Sequence, residues 1–217
     1  MRPLLIDKKE WKLLEDLADI LEPFTHVTLI MSRTSQPTIP FVLPAYHQLD
    51  THLEAKSTET SLPKILTNAA SVGLEKLRKY KRLADGNRFY VLGTVLHPGM
   101  RSKWFETLGT TSWEREDHRD KAETMFRHVA LDYFQEQLTS PTPDQSSLNK
   151  PKPPANGFLS QMCAVDLSFI PTSPRATQAD LEDEISRYLR FEGGVGKTQE
   201  PLEWWQVRSI MPLHFRF

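Results

Sequence analysis

The sequence predicts an all-α protein, and three observations carry that expectation. Apolar residues recur at steps of three and four along several long stretches, the signature of a helix with one buried face. Cap and stop residues bracket those stretches. The one segment of strand-like composition, Phe89–Leu96, has helical patterns on both sides.

The first helix is expected over Glu10–Met31, with Trp11, Leu14, Leu17, Ala18, Leu21, Phe24 and Thr28 forming one broad apolar face that later segments must cover. Asp7 with Glu10 makes a capping box, a carboxylate acceptor over amide donors that have no helical partner. Pro23 is expected to kink or break this helix. After a loop over 32–38, a second helix is expected from about Ile39 to Lys56, with Thr38 as its cap, Pro40 in the first turn and Pro44 making the start irregular. A third begins near Ser61, with Leu62, Leu66, Ala69, Gly73, Leu77, Tyr80 and Ala84 along its stripe, and stops at Asp85-Gly86.

Phe89–Leu96 reads as a short buried helix ended by His97-Pro98-Gly99, and a further short helix follows over Met100–Leu108, anchored by Trp104 and Phe105. Thr111 with Glu114 forms another capping box. It opens the longest helix, Trp113–Leu138, whose stripe is Ala122, Met125, Phe126, Val129, Tyr133 and Leu138. Seven prolines then fall within residues 139–177, and no periodic pattern survives there, so this stretch reads as a disordered linker. A last helix over Asp180–Phe191 carries Leu181, Ile185, Tyr188 and Leu189, and the chain closes on an aromatic-rich tail with Trp204-Trp205. The expected organisation is a helical domain over 1–138, the linker over 139–177, and a short helical segment over 178–217.

Composition narrows the function classes. A net charge of -1 gives no global attraction to nucleic acid or membrane, so any electrostatic argument must be local. The single cysteine, Cys163, excludes an internal disulfide and a cysteine zinc cluster. The start lacks a signal-peptide pattern and the longest apolar run is far short of the ~20 residues that span a bilayer, so a nuclear or cytosolic, non-secreted protein is expected, without membrane contact.

Candidate chemistry is sparse. Glu114, Glu116, Asp117, Asp120 and Glu123 read as a solvated helix face, and Asp180, Glu182, Asp183 and Glu184 as negative charge suited to a helix N-terminus. The seven histidines show no His-x-x-x-His spacing, no phosphate-binding glycine loop is present, and Gly193-Gly194 reads as a flexible connector. No metal, cofactor or catalytic residue is expected. The basic set Lys76, Arg78, Lys79, Lys81, Arg82, Arg88, Arg101 and Lys103 is the candidate nucleic-acid face, through sequence-independent phosphate contacts. Its alternative is a solubilising surface.

Six phrases occur in order: EWKLLEDLADILEPFTHVTLIMS, PTIPFVLPAYHQLDTHL, EKLRKYKR, FYVLGTVLHPGMRSKWF, DEISRYLRF and EPLEWW. Together they resemble the hAT superfamily of transposases. The resemblance implies that the first four belong to a helical region inserted in an RNase H-like catalytic fold. It implies that RYL and PLEWW open a C-terminal dimerisation region, which makes Tyr188, Leu189, Trp204 and Trp205 candidate contacts with a second copy or another hAT-type chain. The family's catalytic aspartates precede the first phrase and its glutamate follows the last. Leu96-His97-Pro98 also stands where Leu-Asp-Pro is common. The expectation is a catalytically inactive, transposase-derived piece with DNA-backbone contact and self-association. The alternative is a helical protein-interaction module without nucleic-acid affinity.

Overall fold

The computed structural model describes residues 6–139, 177–195 and 201–209. Residues 140–176 of the expected linker, with Cys163, lie outside the described residues. Those residues form seven α-helices and two 3-10 turns, with no strand among them: α1 Lys8–Met31, α2 Val42–Thr58, α3 Lys64–Asp85, α4 Arg88–Leu96, α5 Ser112–Thr139, α6 Gln178–Leu189 and α7 Pro201–Ser209. The 3-10 turns span Ile39–Phe41 and Ser102–Leu108. The fold is all-α.

Two apolar centres organise it, and the α2–α3 hairpin runs through both. At the hairpin's tip, Ile20 of α1, Leu53 of α2 and Leu66, Ala70 and Leu74 of α3 are buried together, with Leu13, Leu17 and Phe24 packed against them. At its base, Leu43, Ala84, Val91, Val95 and Phe105 join Ala122, Phe126 and Ala130 of α5 and Leu181, Ile185, Tyr188 and Leu189 of α6. The C-terminal segment therefore completes the main core. Arg127 of α5 pairs with Glu182 of α6 beside it.

Both expected capping boxes form. Asp7 accepts from the amides of Lys9 and Glu10 at 2.8 Å while Glu10 accepts from the Asp7 amide at 2.9 Å. Thr111 and Glu114 bond reciprocally in the same way. A third box, which the sequence reading missed, joins Thr177 to Asp180 at the head of α6.

Other expectations are corrected. α1 runs unbroken through Pro23. The proline frees only the carbonyl of Asp19, four residues back, and that residue is exposed, so water can satisfy it. The apolar face of α1 is also not one covered surface. The packed row is Leu13, Leu17, Ile20 and Phe24, whereas Trp11 is 56% exposed, Leu14 43% and Leu21 50%. Thr38 makes no cap, since its backbone is already helical, and α2 starts at Val42, which puts Pro44 in the first turn where a missing donor is harmless. α3 starts at Lys64, with Pro63 as its N-cap at φ -57° and ψ 141°, outside the helical region. Its buried positions are Leu66, Ala70, Leu74 and Ala84, while Ala69 and Tyr80 face outward. In α5, Ala130 is buried and Tyr133 is 42% exposed.

Phe89–Leu96 lies within helix α4, as its neighbours implied. It crosses the Ile39–Phe41 turn so closely that a Cβ on Gly93 would sit 2.6 Å from the Ile39 Cγ2. Thr94, fully buried there, donates to the carbonyls of Tyr90 and Pro40 at 2.9 and 3.2 Å.

Candidate functional site

The eight basic candidates divide by what surrounds them. Arg78 is bound across the hairpin, 2.8 Å from Asp50 and 3.0 Å from Glu54. Those hydrogen bonds raise its pKa above the ordinary arginine value. Lys81 lies 4.0 Å from Asp85. Arg88 stacks over the Phe89 ring at 5.1 Å, and Lys103 is exposed beside a cleft of about 570 Å³ lined by Trp104, Arg115 and Phe191. Lys76, Lys79 and Arg82 project from the outer side of α3, with Lys76 over the Tyr80 ring at 5.4 Å. None of these three forms an ion pair among the described residues. At 100° per residue they cover an arc of about 120°.

Arg101 is the exception, and its placement corrects the sequence reading: it is fully buried and presents no surface to phosphate. Its guanidinium lies 4.5 Å from the Tyr188 ring, 4.3 Å from Phe191 and 5.4 Å from Trp204. It donates to the Tyr188 carbonyl and, at 2.6 Å, to the Gly194 carbonyl. A desolvated cation needs such partners, and aromatic faces and carbonyl oxygens are among those that enclose it. The site demands unusual backbone: Arg101 has φ 50° and Phe191 φ 63°, while Gly193 and Gly194 have φ 93° and 80°. The Gly-Gly connector is thus a shaped turn that presents a carbonyl.

The dimerisation candidates sit in this same junction. Tyr188 and Leu189 are buried within the chain, and Trp204 and Trp205 are half-buried. The Tyr188 hydroxyl donates to the Val95 carbonyl at 2.8 Å, and the Trp205 indole N–H donates to the Leu96 carbonyl at 3.0 Å. Those oxygens end α4, where the helix offers them no amide. Burial raises the Tyr188 phenol well above its ordinary range, which keeps it a donor. Trp204 and Trp205 meet edge to face at 4.9 Å, and both contact Tyr188.

His97, expected only to help end α4 and to depart from a motif, is fully buried. Its Nδ1 accepts from the Gly99 amide at 3.2 Å and its ring meets Phe41 edge to face at 5.3 Å. The His-Pro-Gly turn was the legible signal. Glu184, expected as negative charge suited to a helix N-terminus, is also buried. Between the hairpin and α5, burial lowers the His47 pKa, assisted by Lys81, and burial raises that of Asp85. Among the described residues no group of three or more His, Cys, Asp or Glu is placed to hold a metal ion, and no helix is long and apolar enough to cross a membrane.

A second groove, of about 860 Å³, runs along α5 from Trp113 to Asp132 and is edged by Arg88 of α4.

No family model matches the chain, and no solved structure matches it. It is similar to a protein of Talaromyces stipitatus named "Putative transcriptional regulator tpeD", with 27% identity over 208 residues. That match covers 94% of this chain and 21% of the relative, so the chain spans about a fifth of that protein's length.

Proposed function

We propose that this chain is a non-catalytic helical module of a nuclear, hAT transposase-derived protein, and that it contacts the DNA backbone through the outer side of α3. The observation that carries the reading is the set Lys76, Lys79 and Arg82, three exposed cations on one arc of a rigid helix. Cations so held suit phosphate contacts that position a protein without reading sequence. The six ordered phrases support the family, and the relative's name, a transcriptional regulator, is compatible with work on DNA. Self-association through the C-terminal region would use the exposed parts of Trp204 and Trp205, because Tyr188 and Leu189 are enclosed. Sedimentation of the chain beside Trp205→Ala tests that contact.

A gel-shift titration with unrelated duplexes at two salt concentrations tests the reading. Binding that weakens steeply with salt and is indifferent to sequence supports it; absence of binding at low salt refutes it.

A second reading, a protein-docking module without DNA affinity, is favoured by exposed apolar side chains on the same helices. Ile65, Val72 and Leu83 on α3 are 67%, 68% and 71% exposed, and they interleave with the cations.

A further inference from the structure

We infer that the cleft between the Ser102–Leu108 turn, the head of α5 and Phe191 is a binding site for an aromatic carboxylate. The site is separate from the outer side of α3 and is independent of any DNA contact there. Its volume of about 570 Å³ falls within the span of small-ligand pockets, about 300–1,000 Å³. The half-buried Trp104, Met100 and Phe191 form its apolar walls, and Lys103 and Arg115 bring positive charge to the same lining. Aromatic walls with a few placed cations are what a planar organic anion needs.

The walls are held from behind. Trp104 meets His47 edge to face at 6.2 Å and Phe105 at 5.1 Å. Phe191 has a left-handed backbone, φ 63°, and the buried Arg101 guanidinium lies over its ring at 4.3 Å. The Arg101 enclosure thus positions one wall of a cleft that Arg101 does not itself line. Pre-set aromatic walls reduce the ordering cost of taking up a flat ligand.

Arg115 is oriented by backbone. Its Nε donates to the Gly109 carbonyl at 3.3 Å and its Nη2 to the Thr110 carbonyl at 3.2 Å. The turn packs so closely on α5 that a Cβ on Gly109 would sit 2.5 Å from the Arg115 amide nitrogen. Carbonyls orient a guanidinium without cancelling its charge, and further N–H donors remain on it. The carboxylates around the cleft are engaged: Glu106 with Arg119 at 3.0 Å, Glu114 with the Thr110 and Thr111 amides, and Glu192 with Arg187 at 2.9 Å. Neither Lys103 nor Arg115 has an ion-pair partner among the described residues. Two uncancelled positive charges beside apolar walls select an anion with a flat apolar body. Glu106, itself in the lining, disfavours a dianion such as phosphate, which leaves a singly charged carboxylate as the fitting group.

The test is a titration of the isotopically labelled full chain with naphthoate, followed by NMR. The indole resonance of Trp104, identified through Trp104→Phe, should shift saturably while that of Trp11 stays still. Lys103→Gln and Arg115→Gln should each weaken naphthoate binding by about threefold, and together by about tenfold, the scale of solvent-exposed ion pairs. The uncharged isostere naphthyl methanol should bind about tenfold more weakly for the same reason. Lys64→Gln makes the same charge change at the far end of the hairpin and should leave the affinity unchanged. Lys103, Arg115 and Lys64 are exposed, and unchanged circular dichroism melts confirm folding. A tripeptide ending in phenylalanine, as acid and as amide, distinguishes the sources of the ligand. An acid form that binds more tightly than naphthoate assigns the cleft to a chain end, and the reverse order assigns it to a free aryl acid. Absence of saturable binding in the millimolar range overturns the inference. So does naphthyl methanol that binds as tightly as naphthoate, or an affinity unchanged in the double variant.

Discussion

Arg101 stands over the ring of Tyr188, 4.5 Å from its centre, and donates a hydrogen bond to the carbonyl of that same residue. One side chain thus holds both the face and the backbone of a residue 87 positions away. Gly194 gives it a second carbonyl.

Replacing Arg101 by Ala removes a donor from both carbonyls, of which that of Tyr188 keeps the Phe191 amide, and empties the aromatic enclosure. The expected loss is about 3–5 kcal/mol of unfolding free energy in urea titrations, the scale of removing one member of a buried polar set. Arg101→Lys should recover only part, because an ammonium lacks the planar fork that reaches two carbonyls. A cost below about 1 kcal/mol for the alanine change would contradict the buried placement.

Tyr188→Phe removes a buried donor and keeps the ring. It should cost about 1–2 kcal/mol, since the Val95 oxygen then lies unpaired in the core. Trp205→Phe should cost less, because the indole is half-buried and water can reach the Leu96 oxygen. Equal losses in denaturant titrations would argue against this ordering.

If α3 carries the DNA contacts, Lys79→Gln should weaken duplex binding and flatten the slope of log affinity against log salt by about 0.9. Arg82→Gln should do the same, and Arg88→Gln less, given its position beside the carboxylates of α5. Arg101→Lys should leave the slope unchanged. A slope unaffected by the α3 changes would remove DNA from the reading.

The pH dependence of α5's start follows from Glu114. Hydrogen bonds from the Thr110 hydroxyl and the Thr111 and Thr110 amides hold its carboxyl down to about 2, against an ordinary glutamate value near 4.5. A depressed folded-state value means that the stabilisation is complete above about 4.5 and is lost as pH falls toward 2. Wild type should therefore melt above Glu114→Gln at neutral pH, with the gap closing in that acid window. A gap of constant size from neutral pH to 2 would rule out the carboxylate as its source.

What the sequence disclosed was mostly local. The capping boxes at Asp7 and Thr111 were readable because donor and acceptor lie three residues apart, and Asp85-Gly86 stops α3 by backbone preference alone. The apolar face of α1 was placed about one residue out of register, because its apolar arc is wide enough to hold two rows and only packing selects between them. The basic candidates showed the reverse difficulty. Arg101 belongs by composition with Lys103, yet its surroundings come from residues 188–204, which no periodicity links to it. Tyr188 and Trp205 were singled out as aromatic anchors, but their partners, the last carbonyls of α4, are backbone atoms that carry no sequence signal.

The end of α4 has a consequence for how the molecule matures. During synthesis, α4 and Arg101 leave the ribosome before Tyr188 and Trp205 exist, so until then the Val95 and Leu96 oxygens and the Arg101 guanidinium lack these partners. The base of the hairpin can settle only when α6 and α7 arrive. A nascent chain arrested after α5 should remain loosely packed there and be a ready client for chaperones.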